Sequence, residues 1–500
     1  MTDENRPIQD ITCNDADLSE QSAIRLQKAR ALMAAEENPY AITKFDRDRL
    51  SGEILQNFEA LENQTATIAG RMMSRRIMGK AGFAHLLDRD GELQIYVRRD
   101  DVGEAAYEAF KDYDIGDILG VKGFIFRTKA GEISLHAQEI TLLTKSLHPF
   151  PEKFHGLKDT DIRYRQRYLD LIINPETRKV FEARSRILKE IRSFLDARGY
   201  LEVDTPVLET QENGAEARPF ITRHNALGID MYLRIETELH LKRLIVGGLE
   251  KVYEVGRIFR NEGMDTRHNP EFTMIELYEA YTDYEGMMEL VESLFATVAQ
   301  NVCGSTCVPY QDKMIELRGP WARMTMAEAV KQYGGIDTSL WQTDEEARAA
   351  VKAAGFEPEA RFTRGECLNQ LFEETAEAHL IQPTFLYDYP IEISPLAKRK
   401  LGDPLFTERF EFFINGGEYG NAFSELNDPL DQRARFEAQA EKRRAQGANV
   451  QADEDFLSAI EYGLPPTGGL GFGFDRMVML LTNSSSIRDV LLFPTMKPRE

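Results

Sequence analysis

The chain has 500 residues, 42% of them hydrophobic, and a formal net charge of −22, so two or three domains are expected and broad, non-specific nucleic-acid binding is disfavoured, although a local cationic face is not. Its four cysteines, Cys13, Cys303, Cys307 and Cys367, lack the second pair or nearby histidines that zinc requires and read as free thiols of a reducing compartment. A polar N-terminus without a signal-like segment, and no apolar run long enough to span a bilayer, lead to the expectation of a cytoplasmic protein with no membrane contact.

Residues 1–64 are rich in charge, alanine and leucine, and Leu26, Ala29, Leu32 and Met33 predict an amphipathic helix. From residue 65 the pattern changes. Short apolar runs at 65–73, 83–87, 93–97, 118–126 and 133–142 alternate with turn signals at Asp88–Gly91 and Thr128–Gly131, and a helix is predicted over 101–111. Five strands with a helix between the third and fourth match a small oligonucleotide-binding barrel, and equally an unspecialised one. Within it Arg71, Arg75, Arg76 and Lys80 form a cluster free of acids. Such a cluster is either a solvated strand face or a nucleic-acid contact.

His148-Pro149-Phe150-Pro151 opens a linker, and Asn174-Pro175-Glu176 is a helix start with proline at the first position. Val180, Ile187, Ile191, Phe194 and Leu195 mark one face of that helix up to Gly199, after which strand and helix signals intermix. A strand over 251–258, a polar loop and a return strand over 272–278 follow. The loop can close over an anion with Arg260, Arg267 and His268, or can be an ordinary hairpin whose arginines pair with Glu262 and Glu271. At 469–476 three glycines alternate with Leu470, Phe472 and Phe474 before Asp475-Arg476 and an apolar helix over 477–481. The bulky residues face one way, and the glycines leave the other face open to a ligand or a second backbone.

Taken in order, the stretch from Arg198 to Pro206, Phe259–Glu262 and Gly469–Arg476 resemble the three signature motifs of the class II aminoacyl-tRNA synthetases. The runs Arg218–Thr222, Leu239–Leu244, Arg267–Met274 and Ser424–Asp428 are similar to the lysyl branch of that family, and the resemblance covers the chain from about residue 65. It implies an α+β catalytic domain over 174–500, an antiparallel sheet flanked by helices. Before it would come a helical extension (1–64), an all-β OB-fold anticodon-binding domain (65–150) and a linker (151–173). It further implies a homodimer, ATP-dependent ligation of L-lysine to tRNA(Lys) through a lysyl-adenylate with release of AMP and pyrophosphate, and roughly one to three magnesium ions acting with ATP.

By the same resemblance Arg260 contacts the α-phosphate and the lysine carboxylate, while Arg267 and His268 lie near the β- and γ-phosphates. Phe272 and Arg476 sandwich the adenine, and Glu262 with Asn269 fixes the nucleotide. Gly214, Glu238, Glu276, Tyr278, Asn421 and Phe423 line the lysine pocket with Arg260. Glu418 and Glu425 hold the metal; their odd separation demands a bend, with Gly420 its natural place. Arg76, Phe83, Gln94 and Glu132 meet the anticodon, Phe83 by stacking a base unless it belongs to the barrel core. Gly82, where relatives often carry serine, and Phe472 and Phe474, where smaller aliphatics are common, depart from the family pattern. The competing readings are the same fold acting on aspartate or asparagine, a non-catalytic RNA-binding paralogue, and a protein-lysylating enzyme, which would lack the barrel.

Overall fold

Period-two burial runs through the first part of the chain. The computed structural model describes residues 19–151, 157–211, 217–445 and 453–499, and it divides into two compact units, Met1–Leu157 and Lys158–Glu500. Cys13 and Gly214 lie outside the described residues; Cys303, Cys307 and Cys367 are free thiols.

In the first unit, strands β1 (Thr65–Met78), β2 (Ala81–Leu87), β3 (Glu92–Arg98), β4 (Ile118–Arg127) and β5 (Ile133–Thr144) point Ile68, Leu86, Ile95, Val121 and Leu135 inward. They close into a barrel in the order β1-β2-β3-β5-β4. The helix expected between β3 and β4 is split by Gly103 (φ 87°) into Arg99–Val102 and Glu104–Asp112. Its second half sends Tyr107 and Phe110 into the barrel core, joined there by Ile54, Phe58 and Leu61 from the preceding segment.

Of the expected stripe Leu26, Ala29, Leu32 and Met33, the helix Glu20–Ala34 buries only Ala29, with Leu26 and Leu32 half-buried and Met33 exposed; Ser22 and Arg25 are buried beside Ala29. Polar anchoring decides the face. Arg25 donates to the Ile115 and His148 carbonyls at 2.9 Å each, and satisfying that cation outweighs a few aliphatic contacts.

The second unit contains β6 (Leu201–Glu202), β7 (Leu208–Glu209), β8 (Ile221–His224), β9 (Ile229–Leu233), β10 (Lys251–Phe259), β11 (Glu271–Ala280), β12 (Cys307–Tyr310), β13 (Lys313–Glu316), β14 (Ala322–Thr325), β15 (Thr384–Pro390), β16 (Phe406–Phe413), β17 (Glu418–Ser424) and β18 (Thr467–Gly473). Eight of them form one sheet in the order β14-β15-β16-β17-β18-β11-β10-β6. Its pairs are antiparallel except at the two edges, β14–β15 and β10–β6. Alternate residues Ile275, Leu277, Phe410, Phe412, Ala422, Leu470 and Phe472 face the helices Pro175–Asp196, Tyr284–Cys303 and Phe474–Leu481 in the main core.

Part of the expected linker is helical, as Thr160–Arg165 and Arg167–Ile173. The fully buried Arg167 holds it there, bonding Asp170 at 2.5 Å and the Arg488, Leu491 and Leu492 carbonyls. Among the described residues no helix is long and apolar enough to cross a membrane.

Candidate active site

The residues between those core positions face the other way, and register brings them together. Glu276 of β11 pairs with Gly471 of β18, and Gly471 with Asn421 of β17; one row along, Tyr278 pairs with Gly469, and Gly469 with Phe423. Four candidates for the lysine pocket therefore flank a stretch of strand, Gly469 to Gly473, that has no side chains on that face. On β17, Phe412 pairs with Gly420 but Phe413 with Glu418, so Tyr419 is an extra residue. This bulge cancels the odd separation and returns Glu418 and Glu425 to one face, at the bend expected near Gly420.

Arg260 follows β10 and lies over Phe272, 5.4 Å from the ring centre. Its Nε is buried with no hydrogen-bond partner, a desolvated donor suited to an anionic ligand oxygen. Arg476, in the first turn of its helix, donates to the Glu418 carbonyl and stands 3.8 Å from the Glu418 carboxylate. Arg267 reaches the Gly416 carbonyl at 3.5 Å, which brings the polar loop against the turn before β17. His268 bonds Asp265 through Nδ1 at 2.8 Å. Burial pushes the Asp265 carboxyl up, but the His268 ring and the amides of Arg267 and His268 hold it at about 2. Neither Arg260 nor Arg267 pairs with Glu262 or Glu271 among the described residues; Glu271 instead faces Arg257 of β10 at 3.8 Å, which leaves the two loop arginines turned to other partners. Glu262 is exposed, and the buried Asn269 commits its amide nitrogen to the Glu271 carbonyl at 2.7 Å.

Below Arg260 the pocket is acidic. Burial first, and Glu238 second, push Glu276 up to about 7, and the same causes raise Glu236. A cation of the chain itself enters this cluster. Lys242 is fully buried, its Nζ 2.5 Å from Glu238 and ion-paired with Glu425, over the rings of Phe423 and Phe456. Burial pulls its pKa down, but Glu238 and Glu425 more than reverse this. With one ammonium among Glu236, Glu238, Glu276 and Glu425, burial resists ionisation of the remaining carboxyls, and a cationic guest would favour their charged form. Glu425 Oε1 is buried and accepts no hydrogen bond. The half-exposed Glu418 stands at the other end of β17, near Arg476 and Glu411, whereas Glu425 faces Lys242, Glu238 and Glu276, so the two expected metal ligands share a face of the strand but not a site. Of the two, Glu418 is the carboxylate placed for magnesium, which uses one or two carboxylates and completes its shell with water and phosphate.

In the barrel, Phe83 is absent from the core cluster and packs outward on Tyr96, ring centres 4.9 Å apart. Tyr96, Phe126, His136 and Phe124 continue an aromatic strip from it. Gln94 donates to Glu132 at 2.7 Å and accepts from Ser134 at 2.8 Å. The basic cluster divides. Arg71 bonds the Gly116 carbonyl and Arg75 the Phe110 and Tyr113 carbonyls, so both brace the barrel, whereas Arg76 and Lys80 are exposed.

Residues 159–497 match the family model of class II tRNA synthetases (D, K and N). The chain belongs to that family. Residues 66–143 of this synthetase match the OB-fold nucleic acid binding domain. It is 58% identical to a lysine–tRNA ligase of Thermoanaerobacter pseudethanolicus, over 97% of its own length and 98% of the relative's. It is also 58% identical to that of Moorella thermoacetica (96% and 98% covered) and 55% to that of Clostridium tetani (95% of each).

The glycines of β18 in this synthetase differ in what they face. A Cβ at Gly469 would overlap the Glu425 carboxylate and come within 2.5 Å of the Tyr278 ring, whereas one at Gly471 would meet Glu276 and Met274 at an ordinary 3.4 Å. Gly469→Ala is therefore expected to lower stability by about 1–3 kcal/mol through overpacking. Gly471→Ala is expected to unfold like the unsubstituted protein while raising the KM for its ligands. Urea denaturation alongside steady-state kinetics separates the two, and equal stability losses would contradict the distinction.

Proposed function

We propose that this synthetase attaches L-lysine to tRNA(Lys) in two steps. The lysine carboxylate attacks the α-phosphorus of ATP, and the bond to pyrophosphate breaks, giving lysyl-adenylate. The terminal ribose hydroxyl of the tRNA then attacks the adenylate carbonyl and AMP leaves. Neither step requires a protein nucleophile; positioning and charge neutralisation carry the acceleration. Arg260 bridges the α-phosphate and the lysine carboxylate, and Arg267 and His268 offset charge on the β- and γ-phosphates. Phe272 and Arg476 hold the adenine, with Glu262 and Asn269 at the loop. Glu418 would help hold magnesium, which when bound supplies further neutralisation of the phosphates. The synthetase works as a cytoplasmic homodimer on this reading.

The observation that carries the choice of amino acid is the acidic pocket of Glu238, Glu276 and Glu425 beside the bare strand. It suits an ammonium at the end of a four-carbon stem. Breaking such a buried pairing costs roughly 3–5 kcal/mol, and an aspartate side chain would add a further negative charge to a carboxylate cluster whose one ammonium, Lys242, is already paired. The names of the relatives support the same choice. ATP–pyrophosphate exchange measured with each amino acid tests it, and exchange with aspartate or asparagine but not lysine would overturn it.

Arg76, Phe83, Gln94 and Glu132 contact the anticodon in this proposal, with Phe83 and Tyr96 as a stacking platform. A stacked base is worth about 1–3 kcal/mol. Phe83→Ala is therefore expected to lower kcat/KM for tRNA charging by roughly 5- to 150-fold and to leave exchange without tRNA unchanged. A parallel loss in both assays, or in neither, would remove Phe83 from the interface.

A further inference from the structure

The β11–β18 ladder ends where it matters most. Its last pair is Met274 with Gly473, because Phe474 already begins a helix. Thr273 comes next on β11, and its amide would lose a strand partner there. The Asp475 side chain supplies one: Oδ2 accepts from the Thr273 amide at 2.7 Å. Its other oxygen, Oδ1, accepts from Arg184 Nη1 at 2.6 Å, and Arg184 Nη2 stands 3.5 Å from the Thr273 hydroxyl. The carboxylate is only 2% exposed, and the Arg184 guanidinium lies over Phe474, 4.6 Å from its ring centre. Three elements that are distant in sequence thus meet in a closed triangle. They are the long helix Pro175–Asp196, the return strand after the polar loop, and the first turn of the helix that carries Arg476.

We propose that Arg184 and Asp475 are a positioning pair for the adenine of ATP, setting the separation of Phe272 and Arg476. The inference rests on the reading that these two side chains hold the adenine. Phe272 is the residue before Thr273, and Arg476 the residue after Asp475. The Asp475 bond to Thr273 therefore fixes the two backbones one residue away from both rims of the slot. Arg184 orients that buried carboxylate, and a buried, charge-assisted, two-oxygen contact is stiff. Neither residue reaches the acidic pocket, so the pair acts on the nucleotide and not on the amino acid.

Pyrophosphate exchange by the full chain tests this with Arg184→Met, Arg184→Lys and Asp475→Asn. In Arg184→Met the KM for ATP and the inhibition constant of free adenosine are expected to rise together by about tenfold, with the KM values for lysine and pyrophosphate within about twofold of the unsubstituted protein. Asp475→Asn moves the same two constants, and Arg184→Lys, which keeps a cation on the carboxylate, recovers most of the loss. Should Arg184→Met fail to fold, the lysine and asparagine variants carry the same comparison. Equal rises for ATP, lysine and pyrophosphate, or a lowered unfolding temperature with unchanged constants, would overturn the pair as a positioning device. Adenosine that fails to compete with ATP in the unsubstituted protein would instead sink the adenine site itself.

Discussion

Arg260→Ala is expected to lower lysine-dependent ATP–pyrophosphate exchange by roughly 10²- to 10³-fold or more, the usual loss when one preorganised donor to developing charge is removed. The expectation comes from three features of this side chain. Its Nε is buried and unpartnered. Its guanidinium rests on the Phe272 face. Its charge acts on Glu276 strongly enough to oppose the rise of that carboxyl's pKa. An unsatisfied buried donor costs about 1–3 kcal/mol of folding free energy, so its removal should not destabilise the fold. Arg260→Ala is thus expected to unfold at or above the temperature of the unsubstituted protein while losing exchange. Arg260→Lys should rescue little, because a point charge cannot replace a planar fork that serves a phosphate and a carboxylate together. Exchange within tenfold of the unsubstituted level would remove Arg260 from the α-phosphate, whatever happened to stability.

Where sequence foresaw the site, the reason was local chemistry. The glycine alternation of 469–473 means the same thing in isolation as in the sheet, because side-chain period and backbone period coincide on a strand. The odd separation of Glu418 and Glu425 demanded a bend, and the extra Tyr419 supplies it, but it aligns their faces without bringing the two ends of β17 together. The barrel was visible for the same reason. The misses share a cause too. Lys242 lies one helical turn after the expected pocket residue Glu238 and carries no local sign of burial; only the packing of that helix on the sheet, under Phe423 and Phe456, makes it a buried counter-ion. Arg184, Thr273 and Asp475 carry no shared pattern, since their meeting depends on where one ladder stops. In the first helix an apolar stripe promised a buried face, but Arg25 had carbonyl partners that no local reading could supply. The stretch 160–173 lies between the linker signal His148–Pro151 and the helix start at Asn174, with nothing local to show that Arg167 is wholly buried.

Glu276→Gln should abolish lysine selectivity and stabilise the protein at the same time. The carboxyl sits at about 7 in the fold against an ordinary 4.5, raised by burial and then by Glu238. Below pH 4.5 the folded and unfolded chains both keep this proton, and the group has no effect on stability. Between 4.5 and 7 the unfolded chain loses the proton first, so folding is increasingly penalised as pH rises. Above 7 the penalty is complete, about 3 kcal/mol at about 1.36 kcal/mol per unit. Glutamine has no proton to lose. It should therefore match the unsubstituted protein near pH 4.5 and exceed its stability by a few kcal/mol at pH 8, as read from urea denaturation at the two pH values. The functional effect runs the other way. Without a carboxylate to meet the ε-ammonium, kcat/KM for lysine should fall by roughly 10²- to 10³-fold, as expected when about 3–4 kcal/mol of buried pairing is lost. Added lysine should also stabilise the unsubstituted protein and not the variant, because the guest cation relieves the penalty that the empty pocket bears. A variant that kept its lysine dependence, or that lost stability at pH 8, would mean that Glu276 serves packing and not recognition.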